Sequence, residues 1–102
     1  MTFCDKVKQG KFIVTSEIGP PKGTDLKEML EDAELIRTRV DAINVTDLQS
    51  SVMRLGSLAV CSLLKQRGLD PVYQLTCRDR NRLALQSDIL SAISARFLMK
   101  IL

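Results

Sequence analysis

Three apolar segments of the chain carry polar side chains on one face towards their carboxyl ends. The apolar face has Phe12 and Val14 in 11–18, Ile43 and Val45 in 41–46, and Tyr73 and Leu75 in 71–76. The opposite face has Thr15 and Glu17, Asn44 and Thr46, and Gln74 and Thr76. Alternate residues of a strand share a face, so each polar pair lies on one side. In a parallel sheet these pairs would form a polar rim where active sites are built; an antiparallel sheet with one solvated face would alternate in the same way.

Glu17 is the rim residue best suited to acid–base chemistry. It stands at the end of the first segment, beside the Pro-Pro loop of 19–23, and could act as a general acid. The simpler interpretation is an ion pair with a nearby cation such as Lys22. The local sequence slightly favours the ion pair.

Three arginines follow the third polar segment. Arg78, Arg80 and Arg82 alternate with Asp79 and Asn81. They could hold an anion at the amino end of the following helix, where free amides also attract negative charge. Local Arg–Asp pairing at a solvated helix start explains the same run equally well.

Histidine and cysteine usage excludes several kinds of site. The chain has no histidine, and its three cysteines, Cys4, Cys61 and Cys77, are widely spaced. Neither a disulfide framework nor a metal site is expected. Cys77 adjoins the rim, but no histidine is present to activate it, so a packed thiol is the better interpretation.

Charge and hydropathy exclude further classes. The net charge is +3 with no basic stripe, and aromatic residues make up 4% of the chain, which argues against nucleic-acid binding. No segment has the apolar length of a signal peptide or a membrane span. We therefore expect a cytoplasmic protein that binds no nucleic acid and no membrane.

The elements that would position the rim alternate between strand and helix. The predicted strands are 11–18, 41–46, 71–76 and the beginning of a fourth at 98–102. The predicted helices are one from Thr2 to Gly10, one capped by Thr24 and reaching Val40, one beginning at Ser50 or Ser51 and stopped by Gly68, and one over 81–95.

This alternation predicts an α/β protein with a parallel sheet. Strands beginning near residues 12, 42, 72 and 99 have the spacing of the βα units in an eight-unit barrel of about 250 residues. A doubly wound sheet of the flavodoxin kind is the competitor, although no glycine-rich phosphate loop follows the first strand. The interpretation is a single partial domain over 1–102, the N-terminal portion of a TIM (β/α)₈ barrel with about three βα units.

Three of these segments resemble the methylenetetrahydrofolate reductase family. They are VTSEIGPPKG at 14–23, DAINVTD at 41–47 and QLTCRDRNRLALQSD at 74–88, in the family's order and spacing. The resemblance covers about 12–92 and is closest to the bacterial branch that carries the TCRDRNR motif. It implies a (β/α)₈ flavoprotein, with FAD favoured over FMN. A nicotinamide (NADH or NADPH) or another donor would reduce the flavin, which would pass hydride to methylenetetrahydrofolate.

The resemblance also implies roles for four residues. Glu17 matches the general acid that protonates the departing folate nitrogen as the five-membered ring opens. Thr46 and Asp47 match flavin- and nicotinamide-facing positions, and Gln74 falls where many relatives place a flavin-contacting histidine. Asp47 replaces an aromatic residue of other branches and Gln74 replaces that histidine, and both departures leave the electron donor open. The role of the arginine run is also left open.

The end of the sequence departs from the family pattern. Relatives have a glycine turn after the helix corresponding to 81–95, then a strand ending in Leu-x-Gly-Asp, whereas 93–102 reads ISARFLMKIL. We expect an incomplete barrel whose reductase activity is lost in the isolated chain. The alternatives are a non-catalytic flavin- or folate-binding protein that completes its sheet with a second copy or a partner subunit, and one half of a split enzyme.

Overall fold

A computed structural model describes residues 2–102 and contains one four-stranded sheet in which every neighbouring pair of strands is parallel. The strands are β1 (Thr15–Ile18), β2 (Ala42–Val45), β3 (Pro71–Leu75) and β4 (Leu98–Ile101). The helices are α1 (Phe3–Lys8), α2 (Lys27–Ile36), α3 (Ser57–Gln66) and α4 (Arg82–Ser94). Among residues 2–102, no helix has the length and apolar character needed to cross a membrane.

The order of the strands across the sheet follows the chain, β1-β2-β3-β4. The α/β prediction is confirmed and the antiparallel alternative is wrong, because a helix connects each strand to the next parallel one. A sequential order also differs from the flavodoxin order, in which the second strand lies outside the first. The arrangement is compatible with part of a TIM barrel.

All three crossover helices cover the same face of the sheet. Ile18, Ile43, Val45, Tyr73 and Leu75 point to this face and form one core with apolar side chains of the helices. The helical contributions are Met29 and Ala33 of α2, Val60, Cys61 and Leu64 of α3, and Ala92 of α4. Burial of this single apolar face leaves the opposite face of the sheet free to carry polar side chains.

The strand register brings the polar residues of that opposite face side by side. Glu17 lies opposite Asn44, and Val45 lies opposite Tyr73, so the next residues, Thr46 and Gln74, are also neighbours. Parallel strands end at the same edge of the sheet, so these side chains gather at its carboxyl end. The side-chain amide of Asn44 donates a hydrogen bond to the Ser16 backbone carbonyl at 3.1 Å and so links β2 to β1.

The first strand is shorter than predicted. It begins at Thr15, which pairs with Ala42 at the start of β2, so the preceding residues have no partner strand. Val14 instead meets Asp41, donating its amide to the carboxylate at 2.9 Å and accepting from the Asp41 amide at 2.7 Å. Phe12 is 90% exposed, so its prediction as a residue of the apolar face is wrong.

Two predicted helix starts are also wrong. Helix α2 begins at Lys27 after Leu26, whose side chain packs against the core, and not after Thr24. Helix α3 begins at Ser57, because the residues predicted to start it form a short 3-10 turn, Gln49–Ser51. Within that region Leu48, Ser50 and Ser51 have φ values of 47°, 63° and 58°, which a regular right-handed α-helix does not accommodate.

Candidate functional site

The carboxyl ends of β1, β2 and β3 surround a concavity of about 260 Å³. Its lining includes Glu17, Thr46, Asp47 and Gln74, the four residues singled out from the sequence, together with Leu48, Gln49, Thr76, Arg78 and Leu102. We call this concavity the rim site. Four residues spread over 58 positions of sequence meet there because three parallel strands end together.

Glu17 is exposed and reaches the rim site from β1. Within residues 2–102, no cation lies at ion-pair distance from its carboxylate, and Lys22 does not pair with it. The ion-pair interpretation of this residue is therefore wrong. An acidic side chain that no cation neutralises remains available to exchange a proton with a bound molecule.

Thr46 places a buried hydroxyl group in the rim site. The residue is 4% exposed, and its Oγ1 has no hydrogen-bond partner among the residues that the structure describes. Gly19 lies beside this hydroxyl and has no side chain to cover it; a Cβ at this position would lie 3.8 Å from Oγ1. Buried polar atoms in folded proteins nearly always have a partner, so this hydroxyl is suited to bonding a ligand.

Gln74 presents its side chain at the neighbouring position of β3. The residue is buried, and its backbone carbonyl accepts a hydrogen bond of 3.0 Å from the Ser57 hydroxyl at the start of α3. This contact holds the backbone of β3 against α3 while the carboxamide lines the rim site. A carboxamide both donates and accepts hydrogen bonds, so it can meet either type of group on a flat heterocycle.

Asp47 also lines the rim site, but both oxygens of its carboxylate already accept hydrogen bonds. One oxygen, Oδ2, accepts from the Thr76 amide at 2.8 Å and from Nη1 of Arg80, and the other accepts from Nη2 of Arg80 at 2.9 Å. Arg80 also donates to the Thr76 carbonyl at 2.9 Å and pairs through Nε with Asp88 at 3.1 Å. The hydrogen bond to Asp47 raises the pKa of Arg80, which stays charged.

The arginine run thus divides into residues with different environments. Arg78 pairs locally with Asp79 at 2.8 Å and donates to the Leu48 carbonyl at 2.9 Å, while Arg82 opens α4 on the surface. Local pairing was predicted for this region, but nothing in the sequence indicated the long-range partner of Arg80. The separation of 33 residues between Arg80 and Asp47 is set by the whole α3–β3 unit.

The remaining ionisable groups near the sheet do not serve the rim site. Cys77 is exposed, so its prediction as a packed thiol is wrong; the packed thiol is Cys61. Burial raises the pKa of Cys61 to about 12, and burial also raises the pKa of Tyr73 to about 12. Both side chains belong to the core on the helix-covered face, where they remain neutral at physiological pH.

A second depression, of about 650 Å³, lies on the outer surface between α2 and the end of α3. It is lined by charged residues and two leucines, including Glu34, Leu35 and Arg67. The depression shares no residue with the rim site and holds no convergent polar groups from strand ends. This depression is larger than the rim site, but the residues suited to acid–base chemistry and ligand binding lie at the rim.

Comparison with protein families gives one match, and it covers nearly the whole chain. The family model described as methylenetetrahydrofolate reductase matches residues 2–102. The chain belongs to the methylenetetrahydrofolate reductase family. Members of this family are oxidoreductases that act on a folate substrate and generally depend on a flavin. Comparisons with curated proteins and with solved structures returned no match.

The rim site fits one edge of the flavin that the reductase family uses. The unpaired Thr46 hydroxyl and the adjacent Gln74 carboxamide are suited to polar atoms of a ring system. A volume of about 260 Å³ lies below the roughly 300–1,000 Å³ of whole small-molecule sites.

Proposed function

We propose that the rim site is part of the active site of a flavin-dependent methylenetetrahydrofolate reductase, within a TIM barrel. The observation that carries the proposal is the convergence of Glu17, Thr46, Asp47 and Gln74 at one rim, in a chain of this family. The TCRDRNR sequence at 76–82 supports the bacterial branch. The three free cysteines suit the reducing cytoplasm.

In this proposal the residues of the rim site divide the work between binding and proton transfer. A bound flavin, for which we propose FAD, would supply hydride transfer between NADH, NADPH or another donor and the folate carbon. The Thr46 hydroxyl, which has no partner among residues 2–102, would donate a hydrogen bond to the flavin, and the Gln74 carboxamide would orient the ring. Asp47 belongs to the same wall of the site.

Glu17 acts as the general acid of the folate half-reaction. Protonation of the departing nitrogen opens the five-membered ring of methylenetetrahydrofolate and leaves an electrophilic carbon that accepts hydride. The exposed carboxyl at the end of β1 can meet a substrate that enters from the open side of the rim. The flavin half-reaction needs no proton from this residue.

The test is the Glu17→Gln variant of the intact enzyme, because the sequence predicts no reductase activity for the isolated chain; its control is Glu28→Gln, which changes an exposed glutamate on α2. We expect folate reduction to fall by about 10²- to 10⁴-fold, the usual contribution of a general acid, while reduction of FAD by the nicotinamide donor persists. Glu28→Gln should leave both half-reactions unchanged. Folate turnover that survives Glu17→Gln would remove the general-acid assignment.

The open edges of the sheet favour a second candidate function, a flavin- or folate-binding protein without turnover. β1 and β4 each pair on one side only, and α4 exposes Leu83, Leu90 and Ile93. Such edges and apolar residues are typical of surfaces that another chain covers, either a second copy or a partner subunit. FAD binding by the wild-type chain with no folate reduction would favour this candidate over the enzyme.

A further inference from the structure

Asp47 and Arg80 enclose the peptide groups of Thr76 at the end of β3. The Thr76 amide donates to Asp47 at 2.8 Å, and the Thr76 carbonyl accepts from Arg80 at 2.9 Å. The two side chains also bond to each other through Nη1 and Nη2 of the guanidinium, in a bidentate arrangement. We call these two residues the Asp47–Arg80 clamp.

The clamp is closed to further partners. The Asp47 side chain has an exposure of 0% and the Arg80 side chain of 16%, and Asp88 of α4 holds the remaining Nε of Arg80 at 3.1 Å. Both carboxylate oxygens of Asp47 already accept hydrogen bonds. A ligand that bonded directly to this carboxylate would have to displace a buried charged partner, which is unfavourable.

The clamp lies next to the two side chains that face the rim site without such partners. Asp47 directly follows Thr46 at the end of β2, and Thr76 lies two residues after Gln74 in β3. The regular register between these strands extends only to Val45 and Tyr73. Beyond that point, the clamp connects the segment after β2 to the end of β3.

We infer that Asp47 and Arg80 are positioning residues of the rim site, which set the distance between Thr46 and Gln74 and do not themselves contact the ligand. The inference rests on the proposed function for the identity of the ligand. A site whose polar groups are held in place before binding loses affinity when their support is removed, even where the contacting residues are intact.

The conservative variants Asp47→Asn and Arg80→Lys test the clamp from its two sides. Asp47→Asn keeps the size of the side chain but removes its charge, and Arg80→Lys keeps the charge but removes the planar fork. Each should weaken FAD binding by about 10- to 100-fold, measured by titration of the folded chain. The double variant should bind no more weakly than the weaker single variant, because both changes break one unit.

Asp79→Asn is the matched control, since it removes the same charge from an exposed pair with Arg78 and should leave FAD affinity unchanged. Weaker binding in Asp47→Asn with normal binding in Arg80→Lys would mean that Asp47 contacts the ligand, and would overturn the inference. Unchanged binding in both variants would show a purely structural clamp and would overturn it as well.

A ligand-free measurement separates the inference from the proposed function. In NMR spectra of the chain without flavin, both clamp variants should increase the hydrogen exchange of the Thr76 amide and shift the amide signals of Thr46 and Gln74. If wild type binds no FAD but these changes occur, the proposed function fails and the positioning of the rim by the clamp stands. If the Thr46 and Gln74 signals stay unchanged in both variants, the inference fails whatever the ligand is.

Discussion

Replacement of Thr46 by valine should stabilise the folded chain and weaken its ligand binding at the same time. The Thr46 hydroxyl is buried and has no partner in the part of the chain that the structure describes. Valine keeps the branched shape of the side chain and replaces the hydroxyl with a methyl group. The variant therefore removes a burial cost from the unliganded protein and a hydrogen-bond donor from the rim site.

The expected stability gain follows from the cost of burying a polar group without a partner. An unsatisfied buried hydroxyl costs about 1–3 kcal/mol, and Thr46 lines an open concavity at the edge of the sheet, so we expect a gain near the lower end, about 1 kcal/mol. With a urea m-value of about 2 kcal/mol per molar for a small protein, the unfolding midpoint should rise by about 0.5 M.

Urea unfolding followed by circular dichroism measures this gain, with the m-value unchanged between variants. Thr76→Val is the matched control, because the Thr76 hydroxyl is also buried at the rim but accepts a hydrogen bond from the Arg78 amide at 3.4 Å. That variant leaves the amide without its acceptor, so its midpoint should stay equal or fall. The changes in the urea midpoint of Thr46→Val and Thr76→Val should thus have opposite signs, or differ by most of the shift predicted for Thr46→Val.

The affinity for FAD should fall in Thr46→Val, opposite to its stability. A gain in stability with a loss of binding is the pattern expected where a site holds a group unpaired for its ligand. A lower unfolding midpoint in Thr46→Val would contradict this reasoning, since it would mean that the hydroxyl has a partner in solution, such as an ordered water.

Two further predictions concern a helix end and an ion pair. Arg96 follows α4 with a left-handed φ of 61°, just as Gly68 follows α3 with a φ of 80°. Because glycine adopts this conformation without strain, Arg96→Gly should raise the free energy of unfolding, measured in urea, by about 1 kcal/mol, and Gly68→Ala should lower it. A lower free energy of unfolding in Arg96→Gly would contradict the strain argument. The hydrogen bond from Lys6 lowers the pKa of Asp41, so this pair stabilises the fold above the ordinary aspartate pKa of about 4 and the effect is lost as the pH falls through the lowered value. Urea midpoints of wild type and Asp41→Asn should therefore differ at neutral pH and converge in acid; a constant difference would exclude the ion pair as the cause.

The alternation of strands and helices could be predicted from the sequence because each element has its own periodicity and its own stop signals. Gly68 follows α3 as predicted and takes a left-handed φ. The segments 41–46 and 71–76, predicted as strands from their alternating apolar residues, contain β2 and β3. The same alternation placed Thr46 and Gln74 on the face away from the helices. In parallel strands, a period of two and a common direction are sufficient to predict which side chains meet.

The misplaced boundaries arise where the local sequence carries no signal of the backbone conformation. Leu48, Ser50 and Ser51 have positive φ without being glycine, so nothing in their residue types indicated that α3 starts only at Ser57. Phe12 has the residue type of a strand, but β2 begins too late to pair with it. These positions are decided by the length of a neighbouring element, which local pattern does not contain.

The Asp47–Arg80 clamp could not be predicted from the sequence for a related reason. No local pattern indicated that Arg80 would pair with Asp47, because a charged run next to its own aspartates predicts local pairs as well as distant ones. Arg78 does pair locally with Asp79. The distinction depends on burial, since only Arg80 is enclosed between the strand end and α4. Burial of a guanidinium requires charged partners, and the fold supplies two carboxylates from separate segments, Asp47 after β2 and Asp88 in α4.

The contrast between Asp47 and its neighbour Thr46 is the strongest argument for the side of the rim at which a ligand binds. Two consecutive buried polar residues follow β2. Within residues 2–102, both carboxylate oxygens of Asp47 accept hydrogen bonds, whereas Oγ1 of Thr46 has no partner. A fold under no demand but stability would leave neither unpaired, since an apolar residue at position 46 would cost nothing there. The free hydroxyl lies beside Gly19 and Gln74 on the face away from the helices, so that face is where a bound molecule would satisfy it.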